Sequence, residues 1–121
     1  MENIKIMPML VMRGVVVFPD STVHFDVGRK MSILAVNSAM ENGRMIYLAA
    51  QDDITIEQPK FKDVAPIGCI AVIKQVLKLP GDNNLRIVVK GLHRAKVAEC
   101  LTAEPYYTVA VDPIFARPGR P

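Results

Sequence analysis

The chain has 121 residues, 50% of them hydrophobic and 22% charged, with two cysteines and no tryptophan. That is the length of one domain and too apolar for a disordered tail. No apolar run, such as residues 15–18 or 68–73, approaches the roughly 18–20 residues of a membrane span. The net charge of +3 is uneven. Residues 1–60 hold 6 Lys/Arg against 7 Asp/Glu, and residues 61–121 hold 9 against 5. The second half therefore allows a weak polyanion contact without requiring one. Met1-Glu2-Asn3 opens no signal-peptide pattern. Cys69 and Cys100 lie in apolar stretches, which predicts buried reduced thiols in a cytosolic protein rather than a disulfide. The ending Arg117-Pro118-Gly119-Arg120-Pro121 reads as the start of a linker.

Residues 4–12 read as a strand. Pro8 places it at an edge or a bulge, because proline cannot donate to a ladder. Arg13-Gly14 breaks the run, and residues 15–18 end at the turn signal Pro19-Asp20-Ser21. Residues 22–27 alternate: Val23, Phe25 and Val27 on one side, Thr22, His24 and Asp26 on the other, a half-buried strand. Gly28-Arg29 then opens the one good helix, from Lys30 to about Glu41 within roughly 29–42. Ile33, Val36 and Met40, flanked by Ala35 and Ala39, form its apolar face, and Asn42-Gly43 stops it. Residues 44–51 read as a strand buried on both faces. Residues 52–66 form a polar loop in which Asp52-Asp53 reads as a solvated turn.

Residues 67–79 and 85–92 are the clearest strands, with a hairpin turn in Pro80-Gly81-Asp82-Asn83-Asn84. Ile73, Leu77 and Leu79 share a face with Leu85, Ile87 and Val89 only if residue 79 faces residue 85 or a bulge makes the equivalent shift. That register sets Lys78 near Arg86. Residues 93–101 continue with polar alternation. Pro105 precedes a last strand at 106–112, with Tyr107, Val109 and Val111 on one side and Pro113 ending it. The pattern predicts an α+β domain of six to eight strands, a mostly antiparallel curled sheet or partial β-barrel with one main helix against it.

Nothing in the chain composes a catalytic or metal site. His24 and His93 have no ligand partner at the required spacing, and there is no CxxC, HExxH or GxSxG. Gly81 and Gly91 are isolated, and Ser21, Ser32 and Ser38 have no local base. A basic strand set of Lys74, Lys78, Arg86, Lys90, Arg94 and Lys96 could meet phosphates, yet it lacks aromatics for stacking. Met7, Met9, Met12 and Met31 suit a core or a surface that takes varied apolar segments. Pro19, Val23, Leu77, Leu79 and Pro80 put apolar character beside turns and form the candidate contact patch.

Four blocks carry a resemblance to a known family. They are Arg13-Gly14-Val15-Val16-Val17-Phe18-Pro19; Asp26-Val27-Gly28-Arg29 with Ser32-Ile33 and Ala39-Met40; Leu48-Ala49-Ala50-Gln51-Asp52; and Ile67-Gly68 with Lys78-Leu79-Pro80-Gly81 and Val89-Lys90-Gly91-Leu92-His93-Arg94-Ala95. In order and spacing the chain resembles the N-terminal, substrate-binding domain of ATP-dependent Lon proteases, with a PUA-like fold. Val11-Met12-Arg13 lacks the family's usual proline there, and Lys30 stands where an acid is common. The resemblance implies a recognition domain over residues 1–115, with 116–121 starting a linker to further domains. The parent it implies is a cytoplasmic bacterial ATP-dependent serine protease: a hexamer with a Ser-Lys dyad and an AAA+ ATPase that uses ATP and Mg. This piece would itself be non-catalytic and cofactor-free, binding unfolded or damaged proteins and supporting hexamer assembly. No membrane contact is implied. A weak DNA contact fits the basic set, and a stand-alone nucleic-acid-binding module is the alternative. Gly28 and Gly91 are expected to serve close turns or close backbone approach, Arg29 to fix the strand-to-helix turn through backbone carbonyls, and Arg94 to be salt-bridged within the fold.

Overall fold

The computed structural model describes residues 4–12, 17–51, 67–81 and 84–114. The Arg13-Gly14 break, the loop with Asp52-Asp53, Asp82 and Asn83 of the hairpin and the linker lie outside them. The elements are β1 (Lys5–Met12), β2 (Thr22–Val27), α1 (Lys30–Glu41), β3 (Met45–Ala50), β4 (Ile67–Lys78), β5 (Leu85–Thr102) and β6 (Tyr107–Ile114). One mixed sheet runs in the order β2-β5-β4-β3-β1-β6, and β6 pairs again with β5. All contacts are antiparallel except β1 with β3. The sheet therefore curls into a partial ring with α1 against it, the architecture the hydrophobic pattern predicts.

The ring depends on the length of β5. Its first part, Leu85–Lys90, lies beside β2; its later part, from Arg94, lies beside β6. The strand changes partner around Gly91, where the segment before β2 presses in: the Asp20 amide donates to the Gly91 carbonyl (2.8 Å), and the Gly91 amide donates to the Ser21 carbonyl (2.9 Å). The expected turn is present here, with the Ser21 amide bonded to the Phe18 carbonyl. Val17 and Phe18, read as strand, lie outside any strand.

Alternation fills two cores. Leu10 and Met12, Ile46 and Leu48, and Ile73 with Leu85, Ile87 and Val89 pack with Val36 and Ala39 of α1. Met9 and Val11, Tyr47 and Ala49, and Ile70 pack with Tyr107, Val109 and Val111. Strand β3 is thus buried on both faces, and each fully buried aliphatic side chain contributes roughly 1.5–3 kcal/mol. Helix α1 ends at Asn42, whose amide bonds the Ala39 carbonyl. The chain turns through Gly43 (φ +85°) and Arg44 (φ +67°), and the Arg44 amide also reaches Ala39.

Three expectations need correction. Pro8 is not at the sheet's edge, because β1 has neighbours on both sides; it faces Thr108 of β6 one residue before the β3 ladder starts at Met9. A missing donor costs little where only one ladder has begun. Pro113 does not end β6. It lies inside the strand opposite Ala95, beyond the β1 pairing that ends at Val111. In the β4–β5 hairpin, Lys78 faces Leu85 and a bulge between Ile73 and Gln75 restores the register that sets Ile73 against Val89. The bulge satisfies the parity requirement, but it turns Leu77 outward (45% exposed) and gives Val76 the core side. Lys78 is consequently not opposite Arg86, which pairs instead with Asp26 of β2 at 2.8 Å.

Candidate functional site

A cavity of about 370 Å³ forms an open groove between the C-terminal ends of β1 and β2 and the start of α1. Leu10, Met12, Phe25 and Val27 supply apolar walls, and Gly28, Arg29 and Ser32 close one end. The strands create it. Strand β1 pairs with β6 only through Met9, so Leu10–Met12 have a described partner on the β3 side alone. Strand β2 pairs with β5 and with no other described strand.

Charge at the helix end is fixed by local sequence. Arg29 is the N-cap of α1 without a side-chain cap bond, and the first turn holds no acid. The first helical bond runs from the Ile33 amide to the Arg29 carbonyl, leaving the amides before it without intrahelical acceptors. The Arg29 guanidinium donates to Gln51 Oε1 at 2.9 Å, tying the helix start to the end of β3. The acid at this rim, Asp26, is neutralised: the Arg86 hydrogen bond, 2.8 Å from Nε, holds its carboxyl below the usual range.

The structure divides the candidate patch among three places. Leu77 stands outward on β4, opposite Arg86. Leu79 and the exposed Pro80 form the hairpin tip, with the Leu79 amide bonded to the Asn84 carbonyl. Val23 is partly buried against the first core. Pro19 sits beside Gly91 at the other end of β2, about 17–20 Å from the hairpin. None of the five lines the groove. The Asn84 side chain, from the far side of the hairpin, lies against Gly28: a Cβ there would be 2.9 Å from Asn84 Oδ1. Gly28 has no positive φ, so a side-chain approach and not backbone conformation crowds it. Arg94 is exposed with its guanidinium 5.2 Å from the centre of the Phe18 ring, a cation–π contact in place of the expected ion pair.

The expectation of buried thiols holds for Cys69; Cys100 is half-buried, and neither forms a disulfide. Burial pushes both thiols up, which keeps them protonated and weakly nucleophilic. Among the described residues no group of three or more His, Cys, Asp or Glu could hold a metal, and no helix is long and apolar enough to cross a membrane. Tyr47 is fully buried and donates to the Ala95 carbonyl at 3.1 Å. Burial raises its phenol to about 12, opposed by the Gly68 backbone hydrogen bond. An unfolded tyrosine ionises near 10. Between these values the unfolded chain loses the proton first, so stability is unaffected below the window and falls as pH rises through it. The slope is at most about 1.4 kcal/mol per pH unit. Thermal melts from about pH 9 to about pH 11 should show a steeper decline for the wild type than for Tyr47→Phe.

The fold has known counterparts. The chain is similar to the N-terminal domain of Mycobacterium avium complex Lon protease, with a TM-score of 0.69 and 20% identity over 97% of this chain and 57% of that one. A Lon N-terminal domain protein from Xanthomonas campestris matches at 0.67 and 15%, over 92% and 60%. Sequence decides the family. The model of the ATP-dependent protease La (LON) substrate-binding domain matches residues 6–119, and the chain belongs to that family. The Lon protease of Clostridium acetobutylicum is 46% identical over 105 residues, which is 87% of this chain and 13% of that protein. Lon protease 1 of Bacillus subtilis is 39% identical over the same share of each. The chain thus spans about an eighth of the length of these relatives.

Sequence reasoning missed the groove. Its walls come from the ends of two strands separated by more than ten residues, and no local pattern marks where a ladder stops. The signal that was present is the helix start: an arginine cap with no acid in the turn that follows.

Proposed function

We infer that this domain captures non-native polypeptide for an ATP-dependent Lon protease of the bacterial cytoplasm. In this reading, residues 1–115 form the recognition domain, and the residues after them lead toward an ATPase using ATP and Mg and a Ser-Lys peptidase. The family membership, together with an open apolar groove and, apart from it, the exposed Leu77 and Pro80 at the β4–β5 hairpin, supports this reading. Each contact is weak alone. Six copies in a hexameric parent would raise the effective concentration and hold a substrate near the ATPase pore.

The nucleic-acid alternative gains little from the surface. Arg86 is engaged with Asp26, and Leu77, His24 and Val88 interrupt the remaining basic groups on that face. Fluorescence anisotropy with labelled, reduced and carboxymethylated lactalbumin tests the proposal. A Leu79→Ser/Pro80→Ser variant should bind at least about fivefold more weakly, because apolar anchors carry such contacts. Its Tm should stay within about 2 °C, as surface changes rarely exceed 0.5 kcal/mol. Unchanged binding removes the hairpin tip from the site.

A further inference from the structure

The bulge in β4 re-aims a row of side chains. Ile73 and Val76 both take the core side, so Lys74 and Gln75 between them face outward and Leu77 follows them out, 45% exposed. On the neighbouring strand Arg86, Val88 and Lys90 share this face, alternating with the buried Ile87 and Val89. Register sets Leu77 opposite Arg86, Gln75 opposite Val88 and Val72 opposite Lys90. Strand β2 adds Thr22, His24 and Asp26 on the far side of β5. The face therefore has an aliphatic centre, Leu77 and Val88, with Lys74 and Lys90 beside it. Asp26 is its one acid among the described residues, and Arg86 already holds that acid at 2.8 Å. Lys74 and Lys90 form no ion pair with a described residue. Lys90 stands across from Val72 and Lys74 two residues along, a diagonal that sets the two like charges about 7–8 Å apart. A carboxylate entering between them turns that repulsion into attraction.

We propose that this sheet face takes segments of non-native polypeptide in which an aliphatic residue is flanked by carboxylates. The aliphatic side chain lies on Leu77 and Val88, and Asp or Glu side chains within a few residues of it meet Lys74 and Lys90. This rests on the reading of the domain as a binder of non-native protein and adds the class of segment bound. Apolar contact at Leu77 supplies affinity, and the two lysines supply selection. A segment with lysines at the same places is repelled. The face fits a polypeptide better than a nucleic acid, because its centre is aliphatic and carries no Phe, Tyr or Trp on which a base could stack. Each exposed ion pair is worth at most about fivefold in affinity, so the charges bias a choice that the apolar contact makes possible.

The test uses the whole 121-residue chain and a fluorescent peptide of about ten residues, blocked at both ends, with a central leucine-valine pair and a glutamate on either side. Twin peptides carry glutamine or lysine in place of the glutamates. Anisotropy should show the glutamate peptide binding at least about fivefold more tightly than the glutamine twin, with the lysine twin weakest. The preference should shrink at about 200 mM salt without vanishing. In Lys74→Glu/Lys90→Glu the order should reverse, the lysine twin binding best. Leu77→Ser should weaken all three peptides alike, by at least about fivefold. The comparison of peptides on the wild type needs no variant to fold. Three peptides within about twofold of one another on the wild type would overturn the charge selection. So would an order that survives the charge reversal, which places the peptide elsewhere. Tighter binding of a single-stranded RNA than of the glutamate peptide, lost in the reversed variant, would assign the face to phosphate and overturn it too. If no peptide binds while carboxymethylated lactalbumin does, the segment class is wrong and the capture function stands; if neither binds, the function itself is wrong.

Discussion

Gly68→Ala is expected to lower the stability of the domain by about 3 kcal/mol or more, a fall of roughly 12 °C in Tm. A Cβ at this position would lie 2.3 Å from the Leu48 carbonyl oxygen and 2.7 Å from the Tyr47 ring and hydroxyl. Neither neighbour can yield. The first is backbone in the centre of the sheet, and the second is a tyrosine with no exposed surface, anchored to Ala95. Moving Tyr47 would disturb the second core, where it packs with Ile70 and Tyr107. Thermal denaturation followed by circular dichroism measures the shift, and a Tm within about 2 °C of the wild type would contradict the packing described.

Gly91→Ala should cost nearly as much, about 2–3 kcal/mol. The new Cβ would stand 2.3 Å from the Phe18 carbonyl oxygen and 3.1 Å from Cys69 Sγ. It would also push on the two backbone hydrogen bonds that join Gly91 to Asp20 and Ser21. These are the bonds that hold β2's lead-in where β5 changes partner, so hydrogen exchange should rise across β2 before it rises in β6. Gly28→Ala is the contrast. Its Cβ meets only the flexible Asn84 side chain, so the loss should stay below about 1 kcal/mol. The order Gly68, Gly91, Gly28 is read in one series of melts.

Much of this was legible in the residues, for a physical reason in each case. The alternation of residues 22–27 and the apolar face of α1 are local patterns imposed by burial on one side, and both elements fall where the pattern places them. The double burial of β3 shows in its unbroken apolar run. Parity asks either for residue 79 opposite residue 85 or for a bulge with the same effect, because the faces otherwise mix core and solvent sides, and the structure takes the bulge. Its position was not legible. Leu77 and Val76 are equally apolar, and cross-strand packing against Ile87 chooses Val76. Pro8 lies in an inner strand and not an edge strand, yet it has a described partner only on the β6 side because the β3 ladder starts at Met9; that each ladder covers part of β1 is something no single-strand pattern reveals. The candidate patch failed to gather for a similar reason. Closeness to turns marked its residues, but Pro19 and Pro80 lie at opposite ends of the β2–β5 ladder.

The central claim is that this domain binds non-native protein through apolar contacts and not through phosphate charge. A salt titration tests it most directly. Anisotropy of labelled carboxymethylated lactalbumin and of a labelled single-stranded RNA is followed with the 121-residue chain as salt rises from about 50 to about 200 mM. Saturable binding of the unfolded protein should change by less than about threefold, since burial of apolar surface is not weakened by salt. Steep loss of that binding over this range, or tighter binding of the RNA than of the unfolded protein, would contradict it.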